Sequence, residues 1–227
     1  IEAIRGPGGT LWGVNAVNGV INILSKSAED TQGLLATGGG GTEDRAFGSV
    51  RYGGKTRGLS YRVWSHYHDR AALAANEAGD RGNDPWKDVR GGFRMDWKLG
   101  AGDTLTLQGD AHDQTARSTY HYDIPEAPFL YTFEGKKDSD AQYVLSRWRH
   151  SFGEKRGLQV QAYYDIQNQD GSAANERRQT GDVDIHLDTP LGSRNSLIVG
   201  AGFRTSADTW EDRPDDRFLS LDPHSVR

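Results

Sequence analysis

The sequence predicts an all-β membrane chain, a partial antiparallel transmembrane β-barrel of about nine strands. Three observations lead to this prediction. Apolar and polar residues alternate with a period of two in several segments, as in strands whose two faces meet different surroundings. Short and long connections alternate along the chain, as in barrels with tight turns at one membrane surface and extended loops at the other. Finally, no run approaches the roughly 18 apolar residues that a spanning helix requires.

The composition agrees with a barrel. Only 35% of the 227 residues are hydrophobic, yet the chain contains 9 Tyr, 7 Phe and 6 Trp. Disordered chains are as polar but poor in aromatic residues, whereas a barrel has one face toward lipid and the other toward a wet interior. The absence of cysteine excludes disulfides and thiolate metal sites. The net charge of -5 argues against a nucleic-acid partner, because phosphate binding requires a basic surface.

Nine segments are predicted as strands. The alternation is clear in four of them: Leu59–His68, Val89–Leu99, Leu105–His112 and Leu158–Gln167. It is weaker in the other five: Leu34–Gly40, Ala46–Gly53, Ala141–Phe152, Asp182–Leu187 and Ser196–Ala207. The residues predicted to share one outward face are Phe93, Met95, Trp97, Leu105, Leu107, Val160, Tyr164 and Ile166. An odd number of antiparallel strands cannot close a barrel, because the first and last strands would lie parallel.

Connection lengths give the sheet two unlike ends. Short turns are predicted at 53–58, 100–103, 153–157 and 191–194, and longer polar connections at 71–88, 116–140, 170–180 and from 209 onward. Near strand ends on the outward face, Trp97, Trp148 and Phe152 are candidates for the aromatic girdle that such barrels carry at the water–lipid boundary. Arg147 and Arg149 are expected to face the interior.

The first 26 residues differ in composition from the rest and read IEAIRGPGGTLWGVNAVNGVINILSK. They predict a strand, a glycine-rich turn, a segment of small residues and a second apolar strand. Gly8 and Gly13 have the spacing of a phosphate-binding loop, but Val14 and Asn15 stand where that motif requires lysine and a hydroxyl residue. A nucleotide site is therefore not expected.

This block resembles the C-terminal end of the plug domain of TonB-dependent outer-membrane receptors. The family pattern is approximately I-E-x-I-R-G-P-x-x-x-L-(Y/W)-G-x-x-A-x-x-G-V-I-N-I-x-(T/S)-K, from which Ala3 and Leu24 are mild apolar departures. The resemblance implies that residues 1–30 are the C-terminal part of a plug and that residues 31–227 are the N-terminal portion of an incomplete barrel. It also implies that the chain is a fragment, whose TonB-contacting segment lies upstream of Ile1.

The same resemblance implies a function. It implies a receptor in the bacterial outer membrane that binds an extracellular ligand and imports it by TonB-coupled movement of the plug. A ferric siderophore or a similar metal chelate is the ligand class we expect. The implied partners are outer-membrane lipid and the TonB energy-coupling complex, with no cofactor and no enzymatic activity. Two alternatives stay open: a passive porin, which has no need of a plug-like block, and a soluble all-β binding or adhesion domain.

Two groups of residues are candidates for ligand contact. An aromatic-rich segment, predicted as an outside loop, contains Tyr120, Tyr122, Phe129, Tyr131 and Phe133. Such rings either grip a ligand with a flat or apolar face or pack against neighbouring loops. The second group is Trp64, His66 and His68, which are two positions apart and therefore share one strand face, the interior one. The alternative to a metal site is that these polar side chains fill the interior of the barrel. No metal ligand is assigned.

Charged residues suggest contacts between plug and barrel. Glu2 and Arg5 of the N-terminal block are expected to meet Arg62, Arg94 or Asp96 of the barrel wall. A buried ion pair is weak support for stability but a candidate for a switch in a domain that moves. We expect residues 1–26 to lie on the concave side of the curved sheet.

Overall fold

The computed structural model describes residues 1–8, 16–72, 82–123, 130–153, 155–171, 174–192 and 194–212. Two short strands, β1 (Glu2–Arg5) and β2 (Gly19–Asn22), pair with each other as an antiparallel sheet of their own. A 3-10 turn at Glu29–Thr31 follows. From Gly33 onward the described strands belong to one larger sheet.

The larger sheet is an antiparallel meander of nine strands, which confirms the predicted fold class. Each strand pairs with its neighbours in chain order, and the first and last strands form the two edges. The strands are β3 (Gly33–Gly39), β4 (Asp44–Thr56), β5 (Leu59–Arg70), β6 (Trp86–Lys98), β7 (Asp103–Asp123), β8 (Leu130–Ser151), β9 (Gly157–Asp170), β10 (Ala174–Leu191) and β11 (Asn195–Asp212).

Several strands are longer than the sequence predicts. The segment 116–140, predicted as a long connection, contains the last residues of β7 and the first of β8, which pair from Ala116 with Lys137 up to Asp123 with Leu130. Most of 170–180 likewise belongs to β10. In 116–140 the aromatic residues at every second position were interpreted as part of a loop. In 170–180 the prediction failed because both faces of the extension are polar. A period-two pattern is visible only where the two faces meet different surroundings.

One face of the sheet is apolar. The register aligns Trp97, Leu105, Trp148 and Val160 in one row across four strands. A second row aligns Phe93, Gly109, Val144 and Tyr164. Met95 pairs with Leu107, and Ile166 follows Tyr164 by two positions, so all eight residues predicted to share a face do so. We call this the apolar face.

Among the described residues, none forms a second layer over the apolar face. Trp97 is 46% exposed and Tyr164 44% exposed. In the described residues no large side chain is fully buried. The apolar side chains therefore point away from the sheet without meeting a closed core.

The opposite face is polar. Arg62, Arg94 and Gln108 lie directly opposite one another on β5, β6 and β7, and Arg147 pairs with Gln161 on β8 and β9. We call this the polar face. No helix in the described ranges is long and apolar enough to cross a bilayer.

The two ends of the sheet differ. At one end, which we call the turn end, the connection between β4 and β5 is the two-residue turn Arg57–Gly58, with φ of 38° and 84°. Positive φ at both positions is the geometry of a type I′ hairpin. At the same end, the rings of Trp148, His150 and Phe152 form a continuous row, with centroids 5.9 and 4.4 Å apart. We call the opposite end, where β7 and β8 extend furthest, the loop end.

Candidate functional site

Aromatic rings cluster on the polar face near the loop end. The ring of His68 lies 4.6 Å from that of Trp86 and 6.0 Å from those of Phe47 and His66, measured between centroids. The register explains the cluster, because Phe47 pairs with His68, and Trp86 pairs with the next residue of that face. Nε2 of His68 lies 2.8 Å from Oδ1 of Asp44, a hydrogen bond that restrains the imidazole.

A pocket of about 470 Å³ opens beside this cluster. Arg70, Trp86, Ala116 and Lys137 form one row across β5, β6, β7 and β8 and line the pocket together with Tyr120. The small side chain of Ala116 leaves the depression between the larger ones. The volume lies in the range of about 300–1,000 Å³ that small-molecule sites occupy.

The predicted ligand-contact residues fall into two sets. Trp64, His66 and His68 lie on the polar face, and Tyr120 lines the pocket. The placement of Tyr120, Tyr122, Tyr131 and Phe133 in a loop was wrong, since these residues belong to β7 and β8. Their backbones stay paired to the ends of the two strands because the β7–β8 ladder continues to Asp123 and Leu130. Phe129 lies outside the described residues, as do the side chains of Tyr122, Tyr131 and Phe133.

A second feature lies on the polar face near the turn end. The segment Ser25–Gln32, which we call the junction segment, connects the N-terminal hairpin to β3. Its Ala28 amide donates a 2.7 Å hydrogen bond to Oδ2 of Asp96 on β6. Ala28 is 0% exposed and Thr31 2% exposed, which puts both among the most buried residues in the described part of the chain. The junction segment is therefore packed against the sheet.

Two arginines of the polar face, one on β5 and one on β6, hold the junction segment. Nη1 of Arg62 donates to the carbonyl oxygen of Lys26 at 3.0 Å, and Nη1 of Arg94 donates to Oγ of Ser25 at 2.9 Å. Arg94 also pairs with Asp96, with Nε and Oδ2 2.9 Å apart. The same arginine thus joins the junction segment to the carboxylate that binds Ala28.

Glu29 is clamped between two strands. Nζ of Lys55 on β4 lies 2.7 Å from Oε1 of Glu29, and Nζ of Lys98 on β6 lies 3.1 Å from Oε2. Hydrogen bonds from Lys55 and then Lys98 hold the pKa of Glu29 below its ordinary value of 4.5. The carboxylate is therefore ionised at neutral pH and able to bridge the two lysines.

The expected plug–barrel residues are brought together only in part. Arg62, Arg94 and Asp96 contact the junction segment. Oε2 of Glu2 instead accepts a hydrogen bond from Nδ2 of Asn22 within the N-terminal hairpin, where Arg5 pairs with Gly19. Among the described ion pairs, none joins Glu2 or Arg5 to the polar face of the larger sheet.

Sequence reasoning missed two groups of residues. Arg70, Trp86 and Lys137 meet at the pocket although 67 positions separate Arg70 from Lys137 in the sequence. Lys55 and Lys98 meet Glu29 near the turn end. The sequence shows only that Lys55 and Lys98 occupy polar positions of their strands. It does not show which strands lie next to each other.

The histidines in the described part of the chain do not form a metal site. In the ranges that the structure describes, no group of three or more histidine and acidic side chains is arranged to hold a metal ion. His68 is engaged with Asp44 and with Trp86.

Comparison with known proteins gives one partial similarity. No protein-family model matches the chain. A segment of 43 residues is 42% identical to the vitamin B12 transporter BtuB of Vibrio vulnificus (strain CMCP6). The matched segment covers 19% of this chain and 7% of that transporter. The similarity suggests the TonB-dependent receptor family in general, the family that the block at residues 1–26 resembles.

Proposed function

We propose that the chain is part of an active-transport receptor of the bacterial outer membrane. In this proposal the receptor binds an extracellular ligand at the loop end and imports it by TonB-coupled movement of a plug. The observation that carries the proposal is the division of one sheet into an uncovered apolar face and a polar face on which the junction segment rests. The similarity to a vitamin B12 transporter supports the family in general.

The dimensions of the apolar face suit a bilayer. On β5 the apolar-face positions run from Leu59 to Tyr67, and Asp69 follows them. Nine residues at about 3.3 Å each extend about 30 Å along the strand, and spanning strands of outer-membrane barrels have about 9–11 residues at a tilt near 45°. On β7 the same face becomes polar from Asp113 onward, so we propose that the loop end projects into the medium.

The N-terminal part is proposed to be a plug tail. We assign residues 1–30 to the C-terminal part of a plug and residues 31–227 to the N-terminal portion of the barrel. The contacts of Ala28, Thr31 and Glu29 with the polar face support this division. A passive pore does not need a segment that is held on its polar face by a part-buried hydrogen bond and by lysines from two strands.

The ligand is proposed to be a ferric siderophore or a similar metal chelate. The ring cluster around His68 and Trp86 offers apolar surfaces to an organic chelator, and the neighbouring pocket has the volume for part of it. The name of the relative refers to vitamin B12, which is itself a metal chelate. The proposal therefore covers this class of ligand as a whole.

The test is uptake by the intact receptor. Cells that express it are expected to import an iron chelate only when TonB and the proton-motive force are both present. Conductance through purified protein in planar bilayers without TonB would instead identify a porin, and a monomer that binds no detergent would identify a soluble domain. Either result overturns the proposal.

Point variants test whether the ring cluster around His68 binds the chelate. Replacing His68 with Ala removes one ring of the cluster and is expected to weaken chelate binding by about tenfold, the effect of losing roughly 1.4 kcal/mol. Tyr67→Ala is the matched control, because Tyr67 is the adjacent residue and lies on the apolar face. Equal losses in the two variants would contradict a binding role for the polar face.

A further inference from the structure

A polar cluster lies on the apolar face at the turn end. Asp103 and His150 pair across β7 and β8, one row beyond Leu105 and Trp148 of the same face. Nδ1 of His150 lies 2.8 Å from Oδ1 of Asp103, and Nε1 of Trp148 donates a 3.0 Å hydrogen bond to the same oxygen. Because β7 begins at Asp103 and β8 ends at Ser151, the cluster lies at the edge of the apolar face.

The rings on β8 hold this cluster in place. The imidazole of His150 stacks on Trp148 at an interplanar angle of 27° and meets the ring of Phe152 at 75°. The side chains of His150 and Asp103 are 30% and 34% exposed, and Phe152 is 56% exposed. The carboxylate is therefore fixed by two ring nitrogens and still open to whatever surrounds the apolar face.

The neighbours of Asp103 on this face are mostly apolar. On β6 the backbone amide of Leu99 donates a 3.0 Å hydrogen bond to the carbonyl oxygen of Asp103. On β9 the residue that pairs with His150 is Leu158. A carboxylate beside hydrocarbon is costly unless charged or polar groups pair with it. The position of Asp103 therefore favours a cationic partner that donates hydrogen bonds at the boundary between lipid and water.

A guanidinium lies on the same face, two strands from Asp103. The amide of Phe152 donates to the carbonyl oxygen of Arg156 at 2.9 Å, so the two residues pair just beyond the ladder of β8 and β9. Nε of Arg156 donates to Oγ1 of Thr189, two positions after Leu187 of the apolar face. Two strand spacings of about 4.8 Å and a step of two residues of about 3.3 Å each separate the backbones of Asp103 and Arg156 by about 12 Å. The long arginine side chain is able to narrow that gap.

We propose that Asp103 and Arg156 bind the phosphoethanolamine headgroup of a membrane phospholipid, with its ammonium on Asp103 and its phosphate on Arg156. A primary ammonium donates charge-assisted hydrogen bonds to a carboxylate, and a guanidinium donates them to phosphate oxygens. The acyl chains of the same lipid then lie along the apolar face beside Trp148 and Leu158. The inference goes beyond the proposed transport function and rests only on its placement of the apolar face in a membrane.

Other phospholipid headgroups fit the cluster less well. Phosphatidylglycerol has a phosphate but no cation, so it leaves Asp103 without a positive partner. Phosphatidylcholine has a quaternary ammonium, which donates no hydrogen bond and is bound best over the faces of aromatic rings. The rings of Trp148, His150 and Phe152 pack on one another in a row instead of enclosing such a cation.

The experiment measures phospholipid binding to the intact receptor in detergent by native mass spectrometry. Phosphatidylethanolamine, phosphatidylglycerol and phosphatidylcholine with identical acyl chains are compared. We expect phosphatidylethanolamine to bind about tenfold more tightly than either of the others, as for one additional hydrogen bond between charged groups. D103N keeps an oxygen for Trp148 and His150 but removes the charge, so this preference should disappear. R156Q should instead weaken all three lipids, because each has a phosphate.

The polar face supplies matched controls. Asp188 and Arg149 have the same charges as the proposed pair and lie near the same end of the sheet, on the opposite face. D188N and R149Q should therefore leave the binding of all three lipids unchanged. Binding of phosphatidylcholine by D103N at the parent level would show that this variant is folded, so that a loss confined to phosphatidylethanolamine is due to the carboxylate.

The two proposals fail in different ways. Equal binding of phosphatidylethanolamine and phosphatidylcholine by the parent, or the same preference in the parent and in D103N, overturns the headgroup site and leaves the transport function standing. A preference that D103N removes, without any TonB-dependent uptake, overturns the transport function and leaves the headgroup site standing. A receptor that binds neither lipid nor detergent overturns both.

Discussion

The backbone amide of Ala28 donates a 2.7 Å hydrogen bond to the carboxylate of Asp96, joining two residues 68 positions apart. The carboxylate also accepts hydrogen bonds from Arg94 and from Oγ1 of Thr106, at 2.9 and 2.8 Å. A single side chain on β6 therefore connects the junction segment to two strands of the sheet.

Replacing Asp96 with Asn should loosen the junction segment. The substitution removes the charge that faces Arg94 and weakens the bond to Ala28, and hydrogen bonds to charged groups contribute about 2 kcal/mol each. Amide hydrogen exchange in detergent should show faster exchange at Ala28. Asp113→Asn is the control, because Asp113 lies on the opposite face of β7. Unchanged protection at Ala28 in D96N would show that the carboxylate does not hold the segment.

Replacing Gly53 with Ala should displace the junction segment by steric conflict. A Cβ atom at Gly53 would lie 2.2 Å from the carbonyl oxygen of Thr31, which is backbone and cannot rotate away. Overpacking of this kind costs about 1–3 kcal/mol. Gly48→Ala, on the same strand, places its Cβ 3.6 Å from the nearest atom and should be tolerated. Urea unfolding of both variants measures the difference, and equal midpoints would refute the prediction.

The clamp on Glu29 should be lost in acid. Because its pKa is lowered in the folded protein, the ionised carboxylate stabilises the fold at pH values above the ordinary 4.5. That contribution disappears as the pH falls through the lowered pKa. Thermal unfolding of the parent protein and of Glu29→Gln should therefore differ at neutral pH and converge in acid. A difference that stays constant down to strongly acidic pH would argue against the clamp.

A charge in the middle of the apolar face should oppose membrane assembly. Val144 lies in the row of Phe93 and Tyr164 and is 44% exposed. If this face meets lipid, Val144→Lys should cost about 2–4 kcal/mol, the cost of a lysine near the bilayer midplane. Leu145→Lys places the same charge on the polar face and should be nearly neutral. The folded fraction in lipid vesicles measures both, and similar yields for the two would exclude lipid contact at Val144.

The sequence predicted the strands best where their two faces differ most. In Leu59–His68 the alternation identified both the strand and the face shared by Trp64, His66 and His68. It failed beyond Asp113 and before Asp140, where β7 and β8 continue to pair. Tyr120 was assigned to an aromatic-rich loop although it is paired with Phe133 in the ladder. The alternation does continue there, with aromatic residues at every second position.

Contacts between segments that are distant in the sequence were harder to predict from the sequence. Arg62, Arg94 and Asp96 were expected to meet Glu2 and Arg5, but they contact Ser25, Lys26 and Ala28. Charge and periodicity placed these three residues on the polar face, but they did not indicate which part of the N-terminal region each of them contacts. Complementary charge alone does not determine which of several acidic or polar groups an arginine of the polar face contacts.

The sequence by itself determined the two faces of the sheet, because alternation along a strand is a local property of the backbone. Only the tertiary structure decided that Arg70, Trp86 and Lys137 line one pocket and that Lys55 and Lys98 grip Glu29. The reason is register. Which residues of neighbouring strands lie side by side depends on turn geometry and on pairing along the whole ladder, so no single segment encodes it.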